Sequence, residues 1–212
     1  VLTFDFKTNI IDSPTEDNDD IFDFSEKENN VLVYDMVEAI KKAKTDEKIK
    51  GISIETDGLR AGMTQLDAVR TALQDFKKSG KFVYAYGNNV SQPAYYLGSV
   101  ADEYFLNPAG GIELKGLSTE VLYMKSFTEK FGIGTEIIRH GKYKSAVEPF
   151  MRDDMSPENK EQISTMLNDL WSNNATKIAA SRKINANQFK TVVDSLYGII
   201  PDLSLKYKLA NR

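Results

Sequence analysis

A lysine set among apolar neighbours is the sharpest chemical feature of this sequence. Lys144 stands in Tyr143-Lys144-Ser145-Ala146-Val147-Glu148-Pro149-Phe150, followed by Met151-Arg152-Asp153-Asp154-Met155-Ser156-Pro157. Burial beside Tyr143, Ala146, Val147 and Phe150 would disfavour an ammonium and lower its pKa, which is how a lysine becomes a general base near neutral pH. The same spacing also suits a surface lysine paired with Glu148 at i+4, and the residues by themselves leave both readings open. His140 is the chain's only imidazole, so any Ser-His-Asp arrangement must use it. It falls at the end of an expected strand, where a lone histidine is ordinarily structural or solvated. Ser145 adjoins Lys144, yet neighbours point to opposite faces of an extended chain and diverge by about 100° in a helix, so the two make a poor proton-sharing pair.

Other inventories are thin. The absence of cysteine excludes disulfides, thiolate metal sites and a cysteine nucleophile, and a single histidine leaves no room for a multi-histidine metal centre. The glycines at Gly58 to Gly62 and Gly110-Gly111 lack both the lysine of a phosphate loop and a full dinucleotide fingerprint. From Asp12 to Glu28 eight acidic residues face Lys27 alone. The run has neither the glycine nor the terminal glutamate of a calcium loop at the required offsets, so it reads as a solvated loop. No metal or cofactor is implied. A formal charge of −4 argues against nucleic acid as a partner, because phosphate contact needs surplus lysine and arginine.

The elements that must position these residues follow a βαβ rhythm. Apolar period switches repeatedly between the helical 3.6 and short β-rich runs, the signature of an α/β fold with a mainly parallel sheet. Leu2, Phe4 and Phe6 suggest a short strand before the acidic loop, so residues 1–30 form an N-terminal strand and loop and 31–212 the main domain. Val33, Met36, Val37 and Ile40 share a helical face, and Ile49 to Thr56 reads as a strand. Thr64-Gln65-Leu66-Asp67 predicts a capping box opening a helix that buries Leu66, Val69, Leu73 and Phe76 and closes at Gly80. Lys81 to Tyr86 is the next strand, followed by a short helix carrying Tyr95, Tyr96 and Leu97, a pair of tyrosines expected to pack. Brief strands are expected at Glu103 to Leu106 and Gly111 to Lys115, a helix over Leu122 to Lys130, and a strand over Thr135 to Arg139. The longest helix should start with Ser156 as N-cap and Pro157 in its first turn. Its stripe of Ile163, Met166, Leu167, Leu170, Trp171 and Ile178 is expected in the core or between subunits. A last helix covers about Asn187 to Leu196, and the chain still reads as helical at Arg212. With 41% hydrophobic residues there is material for one core, and the longest apolar run is Phe82 to Tyr86, far short of the roughly 20 residues of a spanning helix. Val1 follows no initiator methionine or signal-like segment, which suggests a piece of a longer protein.

The Lys144 segment resembles the catalytic-lysine motif of the signal peptide peptidase A (protease IV) family. Gly80-Lys81-Phe82-Val83-Tyr84-Ala85-Tyr86, Ser91-Gln92-Pro93-Ala94-Tyr95-Tyr96-Leu97 and Leu106-Asn107-Pro108 agree with that family in order and spacing, and the resemblance covers about residues 30 to 200. It implies a ClpP/crotonase-like spiral of βαβ units. It further implies that this chain is the lysine-bearing first half of a tandem Ser/Lys protease, with Lys144 as general base. The family's Ser-Gly-Gly-Tyr-Tyr type motif would put Gln92, Pro93 and Ala94 where serine and two glycines stand. Ser91 misses the nucleophile position by one residue. The expectation is therefore that the serine belongs to a missing second half and that this chain alone is inactive. Substrates would be hydrophobic signal peptides. A closed homo-oligomer, a membrane anchor outside this chain and a place on the periplasmic face of the bacterial inner membrane are also implied. The rival expectations are a crotonase-type acyl-CoA enzyme on the same fold and a non-catalytic assembly domain.

Overall fold

Alternating β-branched and aromatic residues build short strands that only helical crossovers can join in parallel. The computed structural model describes residues 1–5, 7, 9–14, 30–134, 136 and 145–212. In chain order its elements are β1 (Leu2–Asp5), β2 (Asn9–Ile11), β3 (Asn30–Leu32), α1 (Val33–Thr45), β4 (Gly51–Glu55), α2 (Met63–Lys77), β5 (Phe82–Val90), α3 (Gln92–Gly98) and β6 (Glu103–Ile112). They continue as α4 (Lys125–Lys130), α5 (Glu148–Met151), α6 (Pro157–Arg182), α7 (Ala186–Asp194) and α8 (Pro201–Lys206). Among the described residues β1, β4, β5 and β6 form a parallel sheet in the order β1-β4-β5-β6, and β2 pairs with β3, also in parallel. The protein is thus an α/β protein with a parallel sheet, as its periodicity indicates.

Two compact units can be distinguished, Val1–Lys115 with Ala175–Arg212, and Gly116–Asn174. In the first, Ile52, Ile54, Val83, Ala85 and Tyr104 point to one side of the sheet and are buried, together with Met36 and Ile40 of α1 and Leu66, Val69, Leu73 and Phe76 of α2. Gly98 of α3 packs on that side so closely that an added Cβ would lie 2.7 Å from the Tyr104 ring. The strand expected at the N-terminus is β1, which joins the main sheet through β4.

Several boundaries depart from expectation, each for a local reason. No capping box forms at Thr64: α2 starts at Met63 with Gly62 as N-cap, and Asp67, which would close the box, instead accepts from Lys177 Nζ at 2.6 Å and the Tyr96 hydroxyl at 2.5 Å. The two brief strands after residue 103 are one strand, β6. Between the pairs Gly87–Leu106 and Asn89–Gly111, two steps along β5 meet five along β6, so Pro108 and the paired glycines are absorbed in an irregularity instead of ending the strand. The helix expected from Leu122 starts at Lys125, with Met124 as its N-cap at a non-helical φ of −120° and its N–H donating to the Pro149 carbonyl at 2.6 Å, and Leu122 is 77% exposed. The expected strand from Thr135 to Arg139 lies outside the described residues except for Glu136, which belongs to no strand. Helix does not persist to Arg212. After α8, Lys208 takes a left-handed φ of 64°, and the Leu209 N–H turns back to the Ser204 carbonyl at 2.8 Å.

Candidate functional site

In open parallel sheets, chemistry collects where the strands end at their carboxyl side. Here that end is a polar network. Asp57, just past β4, accepts from the backbone N–H groups of Asn88 and Asn89 at 2.9 and 3.1 Å and from the Asn88 side-chain amide. Asn88 Oδ1 in turn accepts from Asn107 at 2.6 Å and from the Tyr86 hydroxyl at 2.9 Å. Gly87 has no room for a side chain, since a Cβ would lie 2.5 Å from Thr56 Oγ1. Beside this network a cleft of about 340 Å³ is lined by Asn89, Val90, Ser91, Gly110, Gly111, Ile112, Glu113 and Ile199.

Helix α3 leaves the same sheet end. Ser91 is its N-cap, with φ −67° and ψ 157°, and Ser91 Oγ accepts from the Ala94 N–H at 3.4 Å. The next residue, Gln92, has its Oε1 accepting from the Lys115 N–H at 3.0 Å. Pro93 occupies the first turn, which tolerates a missing N–H. Tyr95 and Tyr96 are buried and pack, as expected: Tyr95 donates to the Leu209 carbonyl at 2.7 Å and Tyr96 to Asp67 at 2.5 Å. Burial pushes the Tyr95 phenol well above its ordinary value. Both hydroxyls are engaged within the protein.

The second unit holds the residues that follow the lysine. Ser145–Val147 makes a single 3-10 turn that runs directly into α5. Glu148, its first residue, is buried and accepts from the Ser156 hydroxyl at 2.5 Å, the Ser156 N–H at 3.2 Å and the Asn159 amide at 3.2 Å. The Ser156 hydroxyl holds the Glu148 carboxyl below the ordinary glutamate range against the opposing effect of burial, with the Ser156 N–H, Asn159 and the charge of Arg152 adding to it. Ser156 Oγ also accepts from the Asn159 N–H at 3.2 Å, so Ser156 caps α6 as expected. A second tie fixes the turn between α5 and α6, where Asp153 accepts from the N–H and hydroxyl of Ser126 at 3.1 and 2.5 Å. The geometry pins the peptide on the carboxyl side of the lysine at a buried carboxylate.

A third cluster is structural. Arg70, although charged, is buried on α2 and donates to Ser99 Oγ at 2.8 Å, the Lys177 carbonyl at 2.9 Å, Ser181 Oγ at 2.6 Å and the Tyr96 carbonyl. Lys177 Nζ donates to Asp67 Oδ1 at 2.6 Å, and this hydrogen bond raises the lysine's pKa. A lysine held protonated is unsuited to general-base work.

Lys144 and His140 lie outside the described residues, and Ser145 is described only through its backbone. Ser91, Gln92, Pro93 and Ala94 fall at the start of α3, as the spacing implies. Within the α6 stripe Ile178 is buried, whereas Met166 and Leu170 are 54% and 52% exposed, so these two are not core. Polar residues surround this part of α6 too evenly for its few apolar ones to enforce a buried stripe. Sequence reasoning missed the Glu148–Ser156–Asn159 cluster and buried Arg70. The second had a visible signal: Arg70 interrupts the apolar face of Leu66, Val69 and Leu73.

The family model described as peptidase family S49 matches residues 75–196. The chain is 38% identical over 185 residues to Protease 4 of Salmonella typhi, covering 85% of this chain and 30% of that protein. It is 39% identical over 176 residues to Protease 4 of Haemophilus influenzae, covering 79% and 29%. With the chloroplastic serine protease SPPA of Arabidopsis thaliana it shares 36% over 132 residues, or 62% of this chain and 20% of that one. The chain therefore spans less than a third of the length of these relatives. Among solved structures it is similar to an enoyl-CoA hydratase/isomerase family protein from Silicibacter pomeroyi, at 12% identity and a TM-score of 0.34 over 82% of this chain and 86% of that one. That score is too low to bear on the fold, which rests on the sheet described above.

Proposed function

The chain belongs to peptidase family S49, and on that premise we propose that it is the lysine-bearing half of a Ser/Lys protease. Lys144 is the general base. Its neutral amine takes the proton from a serine hydroxyl as the oxygen attacks the peptide carbonyl carbon, and the ammonium returns that proton to the leaving amine. Water, deprotonated by the same lysine, then clears the acyl-enzyme. The serine and the oxyanion donors belong to a second half outside this chain.

The observation that carries this reading is the start of α3. Gln92 stands at the nucleophile position, with its amide oxygen bound to the Lys115 N–H, while Ser91 is occupied as a helix cap. The residues just downstream of Lys144 are, in contrast, fixed by buried Glu148. Substrates are hydrophobic signal peptides, presented at the extracytoplasmic face of the bacterial inner membrane by a homo-oligomer. Its anchor is proposed to lie outside this chain; among the described residues no helix is long and apolar enough to cross a membrane.

The test is hydrolysis of a hydrophobic peptide by the 212-residue chain and by an intact protease containing it. The chain alone should be inert, the intact protein active, and Lys144→Ala in the intact protein dead, with His140→Ala mild. Robust cleavage by the chain alone, or a dead histidine variant beside an active lysine variant, would overturn the assignment.

A further inference from the structure

Parallel sheets are almost always covered on both faces, because every connection is a crossover that lays a helix on one side or the other. Among the described residues one face of the sheet is buried and the other is only partly so. Residues paired across the sheet share a side, so Thr3, Ser53, Glu55, Phe82, Tyr84, Tyr86, Glu103 and Phe105 fall on the face opposite the buried Ile52, Ile54, Val83, Ala85 and Tyr104. Tyr84 and Tyr86 are 37% and 40% exposed.

This face is aromatic and continuous. The Phe82 ring lies over Gly51, where a Cβ would come within 2.3 Å of it. Phe82 stacks on Tyr84 with centroids 4.4 Å apart, and Tyr84 meets Phe105 edge-on at 5.7 Å. A contiguous aromatic band, with Tyr84 and Tyr86 exposed and Phe82 and Phe105 half-buried, marks an interaction surface.

We infer that this face is the surface on which the serine-bearing half of the protease docks, an inference that rests on the two-half reading above. The path of the last residues favours that occupant. The Asn211 N–H donates to the Tyr104 carbonyl at 2.8 Å and the Leu106 N–H to the Arg212 carbonyl at 2.7 Å, so these residues run along the free edge of β6. The Arg212 guanidinium then sits 5.9 Å from the centroid of the Phe105 ring, with Nε 3.7 Å from Glu103. In a protein as long as the relatives, of which this chain covers about 30%, polypeptide following Arg212 would begin beside the aromatic band. The acidic rim of Asp5, Glu55 and Glu103 asks the docking surface for apolar residues flanked by lysine or arginine, the pattern Arg212 already shows.

The test uses Tyr84→Cys and, as an independent variant, Tyr86→Cys, placed in the 212-residue chain and in the intact protease. Maleimide modification is located by mass spectrometry, with Glu47→Cys, at an exposed position after α1, as the reference. Docking predicts rapid modification of both positions in the chain alone and protection of about tenfold or more in the intact protease, with the reference unchanged. Equal rates in both proteins overturn the inference. Protection already present in the chain alone, accompanied by a dimer mass, assigns the face to a second copy and overturns it too. Protection that appears only on adding a hydrophobic peptide assigns it to substrate, with the same consequence. The readout is independent of catalysis: an unprotected face beside a dead Lys144→Ala enzyme removes the docking and leaves the general base, and a protected face beside an active Lys144→Ala enzyme does the reverse.

Discussion

Two helix starts in this chain use the same device to different ends. At α3, Ser91 caps alone, through a long 3.4 Å contact to the Ala94 N–H, and the neighbouring Gln92 is bound to backbone. At α6, Ser156 caps within a buried cluster in which Glu148 gathers the Ser156 N–H, the Ser156 hydroxyl and the Asn159 amide. The first place is where a nucleophile would stand, and there Ser91 caps the helix while Gln92 binds the Lys115 N–H. The second lies within the sequence of the lysine motif, and there a carboxylate is taken out of water and engaged. A buried carboxylate is costly unless such bonds are made, so its presence signals a segment whose position matters. On the reading proposed above, the chemistry this half contributes belongs to the lysine side.

The comparison can be broken or sharpened by substitution. The largest effect should come from Lys144→Ala in the intact protease, which removes the general base and should lower kcat/KM by about 10²- to 10⁴-fold. Steady-state kinetics with a hydrophobic peptide reads it, and near-normal turnover would put the base elsewhere.

Next comes Glu148→Ala, which strands the Ser156 and Asn159 donors and should destabilise the protein by about 1–3 kcal/mol in denaturant unfolding. Its pH dependence has a definite sign. Because the folded carboxyl is held below the ordinary value of 4.5, its contribution is fully present above that value and is lost as pH falls through the lowered folded value. The stability gap between the native protein and Glu148→Gln should therefore narrow on acidification below 4.5, and a gap that widens there would contradict the assigned state.

Ser156→Ala removes a cap and one of the bonds to Glu148 and should cost about 1–2 kcal/mol. The smallest effect is expected of Ser91→Ala, about 0.5 kcal/mol for a lone, long cap bond, with activity of the intact protease retained. Loss of activity there would make Ser91 more than a cap.

Much of this could be read in advance where one face of an element is strongly apolar. The faces of α1 and α2, the strands β4 and β5 and the Ser156 cap all follow from local pattern. Failures arose where a partner far along the chain outbid a local signal. Asp67 is taken by Tyr96 and Lys177 instead of closing the capping box, and α4 starts three residues later than expected, with the Met124 N–H held by the Pro149 carbonyl. The proline and glycines of β6 look like breakers, yet the neighbouring strand supplies enough register to carry the ladder past them. At the candidate site the motif points to Lys144, which lies outside the described residues, and nothing local distinguishes Glu148 as a surface partner at i+4 from Glu148 as a buried anchor. Its fate is decided by Ser156 and Asn159, eight and eleven residues on.

The central claim is that the base is here and the nucleophile is not. Its most direct test is to acylate the intact protease with a hydrophobic peptide ester and map the trapped acyl group by mass spectrometry. The account predicts one adduct, on a serine outside residues 1–212, that disappears in Lys144→Ala. An adduct on Ser91 or Ser145, or one that forms as well without the lysine, would contradict it.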